Sequence, residues 1–217
     1  VDKLNRKESF ALNRFNDGEM GVILGTHSVV SRGDQKSSIL LKLKLLEAIT
    51  YRCDDYYIGL PDKKFEEAFN NAEMIIGDYD NLTSSVVLHD DNWTDALRGI
   101  VNNVDKFNNI IWVGSEKHEV DKLPFKVNRH IKTKHQNSFD DYYSIRKERI
   151  DPGSLVLVSC GPLGRVLVKE WFDRDDSLTI IEAGSIFDPI TQGVWRSYQK
   201  RQRGEMSRLF NHWEQNR

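Results

Sequence analysis

The stretch Leu155-Val156-Leu157-Val158-Ser159-Cys160-Gly161-Pro162-Leu163-Gly164 constrains the fold more than any other. Its first six residues are apolar or small, with no alternation. A strand of this kind needs apolar cover on both faces, which is the habit of central strands in parallel sheets. The Gly-Pro that follows ends the strand, and Leu163 to Phe172 has helical character. One strand-turn-helix unit of this type argues for an α/β domain. The rest of the chain repeats the alternation. Strand patterns lie at Phe10–Phe15, at Tyr56–Leu60, at Ser84–Leu88, at Asn109–Gly114 and at Leu178–Ile181. Helical patterns lie between them, at Glu19–Leu24, Ser37–Arg52, Lys64–Ile76, Thr94–Phe107 and Asp140–Arg149. In Ser37–Arg52 the apolar stripe reads Ile39, Leu40, Leu43, Leu46 and Ile49. The expected fold is a Rossmann-like α/β domain, with a mostly parallel central sheet flanked by helices.

Composition narrows the function. A chain of 217 residues with 39% hydrophobic and 10% aromatic residues can bury a core without disulfides or structural metal. Its formal net charge of −2 carries no global signature for nucleic acid, so no nucleic-acid partner is expected. Cys53 and Cys160 have no Cys-x-x-Cys spacing and read as two reduced cysteines in apolar strands, consistent with the cytosol. No apolar run approaches the roughly 20 residues that span a bilayer, and a cytoplasmic location is expected, bacterial or, for a viral chain, in the host. The N-terminus, Val1-Asp2-Lys3, lacks both an initiator Met and a signal-peptide core. It reads as a processed end or as one domain of a longer protein.

Three segments have residue types suited to chemistry. In Arg14-Phe15-Asn16-Asp17-Gly18-Glu19 two acids follow a strand, where hard divalent cations such as Mg²⁺ or Mn²⁺ take carboxylates and phosphate oxygens together. Arg14 suits a phosphate. The plainer reading makes Asp17 a helix N-cap with Glu19 in the first turn. In Ser159 to Arg165, Gly161 and Gly164 flank a helix start, where backbone N–H groups bind anions. In Ile181-Glu182-Ala183-Gly184-Ser185-Ile186-Phe187-Asp188-Pro189, Glu182 and Asp188 follow a strand end and are general-base candidates. The plainer reading of Asp188-Pro189 is the opening of a turn. His118, His130 and His135 lie in a polar middle region and read as exposed, with His118 a third base candidate after the strand ending at Gly114. The stretch from Val194 to Arg217 is basic, with Leu209, Phe210 and Trp213 as its apolar stripe. It reads as a solvated helix face, or as a surface for a phosphate-bearing ligand, an anionic membrane or RNA.

Taken in order, these segments resemble a known pattern. Phe10-x-x-x-Arg14-Phe15-x-Asp17-Gly18-Glu19 resembles the opening signature of the D-type glycosyltransferase fold, whose members carry an Asp-x-Glu motif. Asn16 stands where that family has Gly, and Asn tolerates positive φ better than most residues. Tyr57-Ile58-Gly59-Leu60-Pro61, Asn137 to Tyr142, Ser159 to Gly164 and Glu182-Ala183-Gly184-Ser185 extend the resemblance over about residues 8 to 190. It implies a glycosyltransferase domain at 1–195, with a basic helical tail at 196–217 packed on it. It also implies a nucleotide-sugar donor, commonly a UDP-sugar, a glycan or glycoprotein acceptor, and Mn²⁺ or Mg²⁺. By the same resemblance Asp17 and Glu19 engage the metal. From their places at strand ends and a helix start, Arg14, Gly18, Gly161 and Gly164 are expected at the donor, and Glu182 or Asp188 is expected to act on the acceptor. The paired acids and anion-binding turn also suit a nucleotide-dependent phosphohydrolase or nucleotidyltransferase, and the basic tail a non-catalytic binding module.

Overall fold

The computed structural model describes residues 2–26 and 35–215. Seven strands form one sheet: β1 (Phe10–Arg14), β2 (Tyr56–Leu60), β3 (Leu82–Ser84), β4 (Ile110–Ser115), β5 (Arg129–Thr133), β6 (Leu155–Ser159) and β7 (Thr179–Glu182). Their spatial order is β3-β2-β1-β7-β6-β4-β5, and every pairing is parallel. The helices are α1 (Asp2–Arg6), α2 (Asp17–Leu24), α3 (Ile39–Ile49), α4 (Glu66–Ile76), α5 (Trp93–Val101), α6 (Tyr142–Ile145), α7 (Pro162–Arg174), α8 (Asp188–Thr191), α9 (Ser197–Arg201) and α10 (Arg203–Gln215). No helix among the described residues is long and apolar enough to cross a membrane.

The unbroken apolar run of β6 is explained by its place. It pairs with β7 on one side and β4 on the other. Val156 and Val158 face a core built with Met20 of α2, Leu41 and Leu45 of α3 and Leu163 and Val166 of α7. Leu155 and Leu157 face the opposite core, with Trp93 and Leu97 of α5, Trp112 of β4 and Met206, Leu209 and Trp213 of α10. Both faces are therefore covered, and each fully buried Leu or Val contributes about 1.5–3 kcal/mol. Cys53 and Cys160 are both free thiols, and Cys160 is buried.

Several elements differ from the sequence pattern. The stripe of α3 is turned: Leu41, Leu45, Ala48 and Ile49 are buried, while Ile39 is 81% exposed and Leu43 50%. Successive leucines place apolar residues on every side of this helix, so spacing does not fix its phase. Ser84–Leu88 is not a strand. The edge strand ends at Ser84, whose hydroxyl accepts from the Val86 N–H, and Ser85–Leu88 forms a 3-10 turn. The helix expected to reach Phe107 stops at Val101; Asn103 donates its side-chain amide to the Gly99 carbonyl, and a 3-10 turn follows at Val104–Lys106. Asp140–Arg149 yields only the four residues of α6, preceded by a 3-10 turn at Ser138–Asp141. Strand β5 falls in the stretch that reads as polar and loop-rich. In the tail, Met206 joins Leu209 and Trp213 in the core and Phe210 is only half-buried; Arg217 lies outside the described residues.

The order of strands positions a site. The chain leaves β4 outward to β5, but leaves β6 inward to β7. Loops diverge between β4 and β6 at their carboxyl ends, where open α/β sheets take ligands.

Candidate functional site

A cavity of about 510 Å³ opens at these carboxyl ends. That size suits a small-molecule ligand. The segment after β1 contributes Arg14, Asn16 and Glu19 to its wall, and the ends of β4 and β5 contribute Ser115, His118, Thr133, Lys134 and His135. Ser159, Cys160, Gly161, Pro162 and Arg165 come from the β6–α7 junction, and Gly184, Ser185, Asp188, Gln192 and Arg196 from the chain after β7.

Below the cavity lies a chain of buried charges. Arg14 closes β1 and is fully buried. Its Nε donates to the Glu182 carbonyl at 2.8 Å and its Nη1 to the Ser85 carbonyl at 2.9 Å, with His89 Nε2 a further 3.0 Å partner. Its Nη2 lies 2.9 Å from Glu182 Oε2. The other carboxylate oxygen of Glu182 lies 2.9 Å from Arg165 Nη1. Neither contact has the alignment of a hydrogen bond, so the attraction is coulombic. Arg165 also donates from Nε to the Arg14 carbonyl and reaches Glu19 Oε1 at 3.4 Å. Gly184 admits this packing. Its φ is +54°, and a Cβ there would lie 2.6 Å from Arg14 Nη2.

The candidate residues therefore separate. Glu182 is 0% exposed and is not on the cavity wall. Period two puts it on the same sheet face as Ile180, under α7, with its carboxylate between two guanidinium groups. Asp188 does face the cavity. Its Oδ1 accepts from Gln192 Nε2 at 3.1 Å and its Oδ2 from Arg196 Nη2 at 3.1 Å. Burial raises its pKa above the ordinary carboxylate value, against the pull of Arg196 and Gln192. Gly161 is on the wall as the N-cap of α7. Gly164 lies inside that helix, where a Cβ would meet Val158 Cγ1 at 2.9 Å; its role is close packing of helix on sheet. Gly18 lies in the first turn of α2, off the wall.

Asn16, not Asp17, is the N-cap of α2, and its φ of −116° is extended. The turn uses no positive φ, so Asn in place of Gly demands nothing unusual. Glu19 Oε2 accepts from the Asn16 N–H at 3.1 Å, the returning half of a capping box. Asp17, which directly follows the cap, is exposed and off the wall. This donor set does not fit a divalent cation held by protein ligands. Glu19 and Asp188 already meet guanidinium groups, and among the described residues no group of three or more His, Cys, Asp or Glu side chains could hold a metal.

Histidines were underestimated by the sequence pattern. His118 is 7% exposed and His89 half-buried; His135 alone of the middle three is exposed. Burial, then the charges of Arg14, Arg165 and Arg196, lowers His89 to about 2, so it is neutral. Arg14 can only donate, so Nε2 of His89 accepts and its Nδ1 holds the proton. His89 also packs against Tyr198 with ring centroids 5.1 Å apart and the planes tilted by 30°, tying α9 to the cavity. Arg196 lies in the basic stretch after Val194, where composition alone singles out no one cation. Lys134 was missed with β5, although Arg129-His130-Ile131-Lys132-Thr133 alternates as a half-buried strand does.

No protein-family model matches the chain, and no curated protein sequence does. Solved structures do match. The domain of unknown function 1792 that has a distinct glycosyltransferase fold superimposes with a TM-score of 0.66 at 18% identity, covering 85% of this chain and 75% of that one. A glycosyltransferase (DUF1792) from Streptococcus sanguinis gives 0.64 at 18% identity, covering 85% and 78%. A selenomethionine-substituted domain of the same kind gives 0.64 at 17%, covering 85% and 75%. At such identity the likeness is one of fold, and the chain has the fold of a glycosyltransferase-type domain.

Proposed function

We propose that this chain is a glycosyltransferase that moves a sugar from a nucleotide-sugar, with a UDP-sugar the first candidate, to a glycan or glycoprotein acceptor. The observation that carries the reading is the composition of the cavity wall. It combines a helix N-terminus, cationic side chains and neutral N–H donors with one carboxylate of raised pKa, Asp188. The diphosphate belongs at the N-terminus of α7, where the helix dipole favours anions. Arg196 reaches the same cavity, and its Nε is buried without a hydrogen-bond partner. Lys134 adds charge from the β5 side. Arg14 and Arg165 act indirectly, because their nitrogens are engaged by the protein and fix the floor.

Acceptor activation falls to Asp188. A base must face the acceptor hydroxyl, and a carboxylate of raised pKa is the better proton acceptor. Glu182 instead holds the two arginines. This is an inverting arrangement, with Asp188 taking the proton as the hydroxyl attacks the anomeric carbon and the nucleoside diphosphate leaves. A cation that takes part would arrive with the diphosphate, and Asp17 is the acid of the α2 turn that makes no ion pair among the described residues.

The test is a thermal-shift series with UDP-sugars, with and without Mn²⁺, followed by product analysis. The expected result is a rise in Tm with a UDP-sugar, and UDP release that quickens with a glycan acceptor. A native-state ligand at 100 times its Kd adds about 2.7 kcal/mol of stability, enough to read. Release of inorganic phosphate without an acceptor would establish a phosphohydrolase instead. No shift with any nucleotide-sugar or nucleotide would leave a binding module.

A further inference from the structure

His118 follows β4 by three residues and lies on the cavity wall, yet its role is not that of the base its position suggests. Trp112 on β4 is fully buried. Its indole Nε1 lies 3.0 Å from His118 Nδ1. An indole N–H can only donate. Nδ1 of His118 must therefore accept, and in a neutral ring the proton sits on Nε2. That atom has no protein partner among the described residues. Gly114 makes the contact available: a Cβ there would lie 2.6 Å from both Trp112 Nε1 and His118 Nδ1. The indole ring is held in turn by edge contact with Phe187 at 5.5 Å.

We propose that His118 is a ligand-binding residue that presents Nε2–H to the cavity as a fixed hydrogen-bond donor, with Trp112 as the positioning residue that locks its tautomer. Its partner is an oxygen of the nucleotide-sugar, on the diphosphate or on the sugar; this choice of ligand rests on the function proposed above. Proton transfer is excluded by the geometry, since one ring nitrogen is occupied and the other already protonated. The charge state agrees. Burial, with His130 and His135 on the β5 side, lowers the ring to about 4. The other charged groups of this wall have partners of their own: Asp188 pairs with Arg196, Lys134 with Asp140 and Asp141, Glu19 with Arg165, and Arg14 and Arg165 with Glu182. A neutral donor differs from an imidazolium in a useful respect. It orients an oxygen without adding charge that varies over the working pH range.

Two measurements decide this. Long-range ¹H–¹⁵N spectra of histidine-labelled protein are recorded from pH 5.5 to 8. The expected result is one His118 tautomer, protonated at Nε2, with no titration in that range. Trp112→Phe keeps a ring against Phe187 and removes the N–H; its His118 is expected to populate both tautomers. A wild-type ring protonated at Nδ1, or titrating between pH 5.5 and 7.5, overturns the proposal, whatever the variant does. Calorimetry then uses two probes, inorganic pyrophosphate and UDP-glucose. His118→Ala is expected to weaken binding about three- to tenfold and His118→Gln, which keeps a donor near Nε2, to restore most of it. Loss with both probes places the oxygen on the diphosphate, and loss with UDP-glucose alone places it on the sugar. Unchanged affinity for a probe that binds the wild type overturns the ligand contact. If neither probe binds the wild type, the ligand contact as stated here, to the diphosphate or sugar of a UDP-sugar, is overturned, and the spectra still decide the lock.

Discussion

Arg14 at the end of β1 and Glu182 at the end of β7 grip each other twice. The guanidinium Nε donates to the Glu182 backbone carbonyl at 2.8 Å, and Nη2 lies 2.9 Å from the Glu182 carboxylate. The two strands are neighbours in the sheet, so this contact closes their shared end beneath the cavity. Both side chains are wholly excluded from solvent.

The first prediction separates the two candidate acids. Glu182→Gln leaves Arg14 and Arg165 buried with less counter-charge, and breaking such a pair costs about 3–5 kcal/mol. Urea unfolding should show that loss. Asp188→Asn should unfold near the wild-type midpoint while kcat falls by about two to four decades. A Glu182→Gln protein with full stability and a lost rate would reverse the assignment.

The second concerns Gly184. Gly184 and Gly153 both have positive φ, +54° and +70°, but a Cβ at Gly153 meets nothing within 4 Å. Gly153→Ala should therefore cost about 1–2 kcal/mol, the penalty of the left-handed backbone alone. Gly184→Ala should cost more, because it also displaces the Arg14 guanidinium. Equal midpoints in denaturant would show that Arg14 yields freely.

The third is a pH dependence. His89 and His118 are lowered to about 2 and about 4 by burial, from 6.5 when unfolded. Below pH 6.5 the unfolded chain binds protons that the folded chain refuses. Stability is then full above about pH 6.5 and falls as pH drops towards 4. Each ring contributes a slope of up to about 1.4 kcal/mol per pH unit. His118→Gln should flatten the acid limb of stability against pH, measured between pH 4.5 and 7.

The fourth divides the Asp-x-Glu pair. Asp17→Ala should leave stability within about 0.5 kcal/mol, since its side chain is exposed and off the wall. Glu19→Ala removes the capping-box acceptor and the Arg165 contact, and should cost about 1–2 kcal/mol. If Asp17→Ala also abolishes a Mn²⁺-dependent Tm rise with UDP-sugar, a cation is bound jointly with the diphosphate. If the rise is independent of Mn²⁺, the arginine-rich wall is sufficient for the anion.

How much of this was legible depended on whether a local rule had competitors. The β6–α7 junction was plain because an unalternated apolar run followed by Gly-Pro has few other readings. The phase of α3 was not, because Ile39-Leu40-Leu41 and Leu45-Leu46 satisfy more than one stripe. Strand β5 escaped because Arg129, His130 and Lys132 outweigh Ile131 in any average, although Ile131 and Thr133 are its inward residues. For the site, the sequence marked acids after β7 but not their direction. Strand alternation from Ile180 sends Glu182 under α7, and only the turn at Ala183-Gly184 brings Asp188 round to the cavity. His89 and His118 became functional candidates only through partners 75 and 6 residues away, Arg14 and Trp112.

The floor of the cavity is made from the same charges that close β1 against β7 and α7. A substitution at Arg14, Arg165 or Glu182 therefore alters the fold and the cavity floor together. Variation is better begun at the rim, at Lys134, which is exposed and pairs with Asp140 and Asp141, than at Gln192 or Arg196, which hold Asp188. A change at Lys134 leaves the buried ion pairs of the floor untouched, so tolerance and ligand preference can be varied separately.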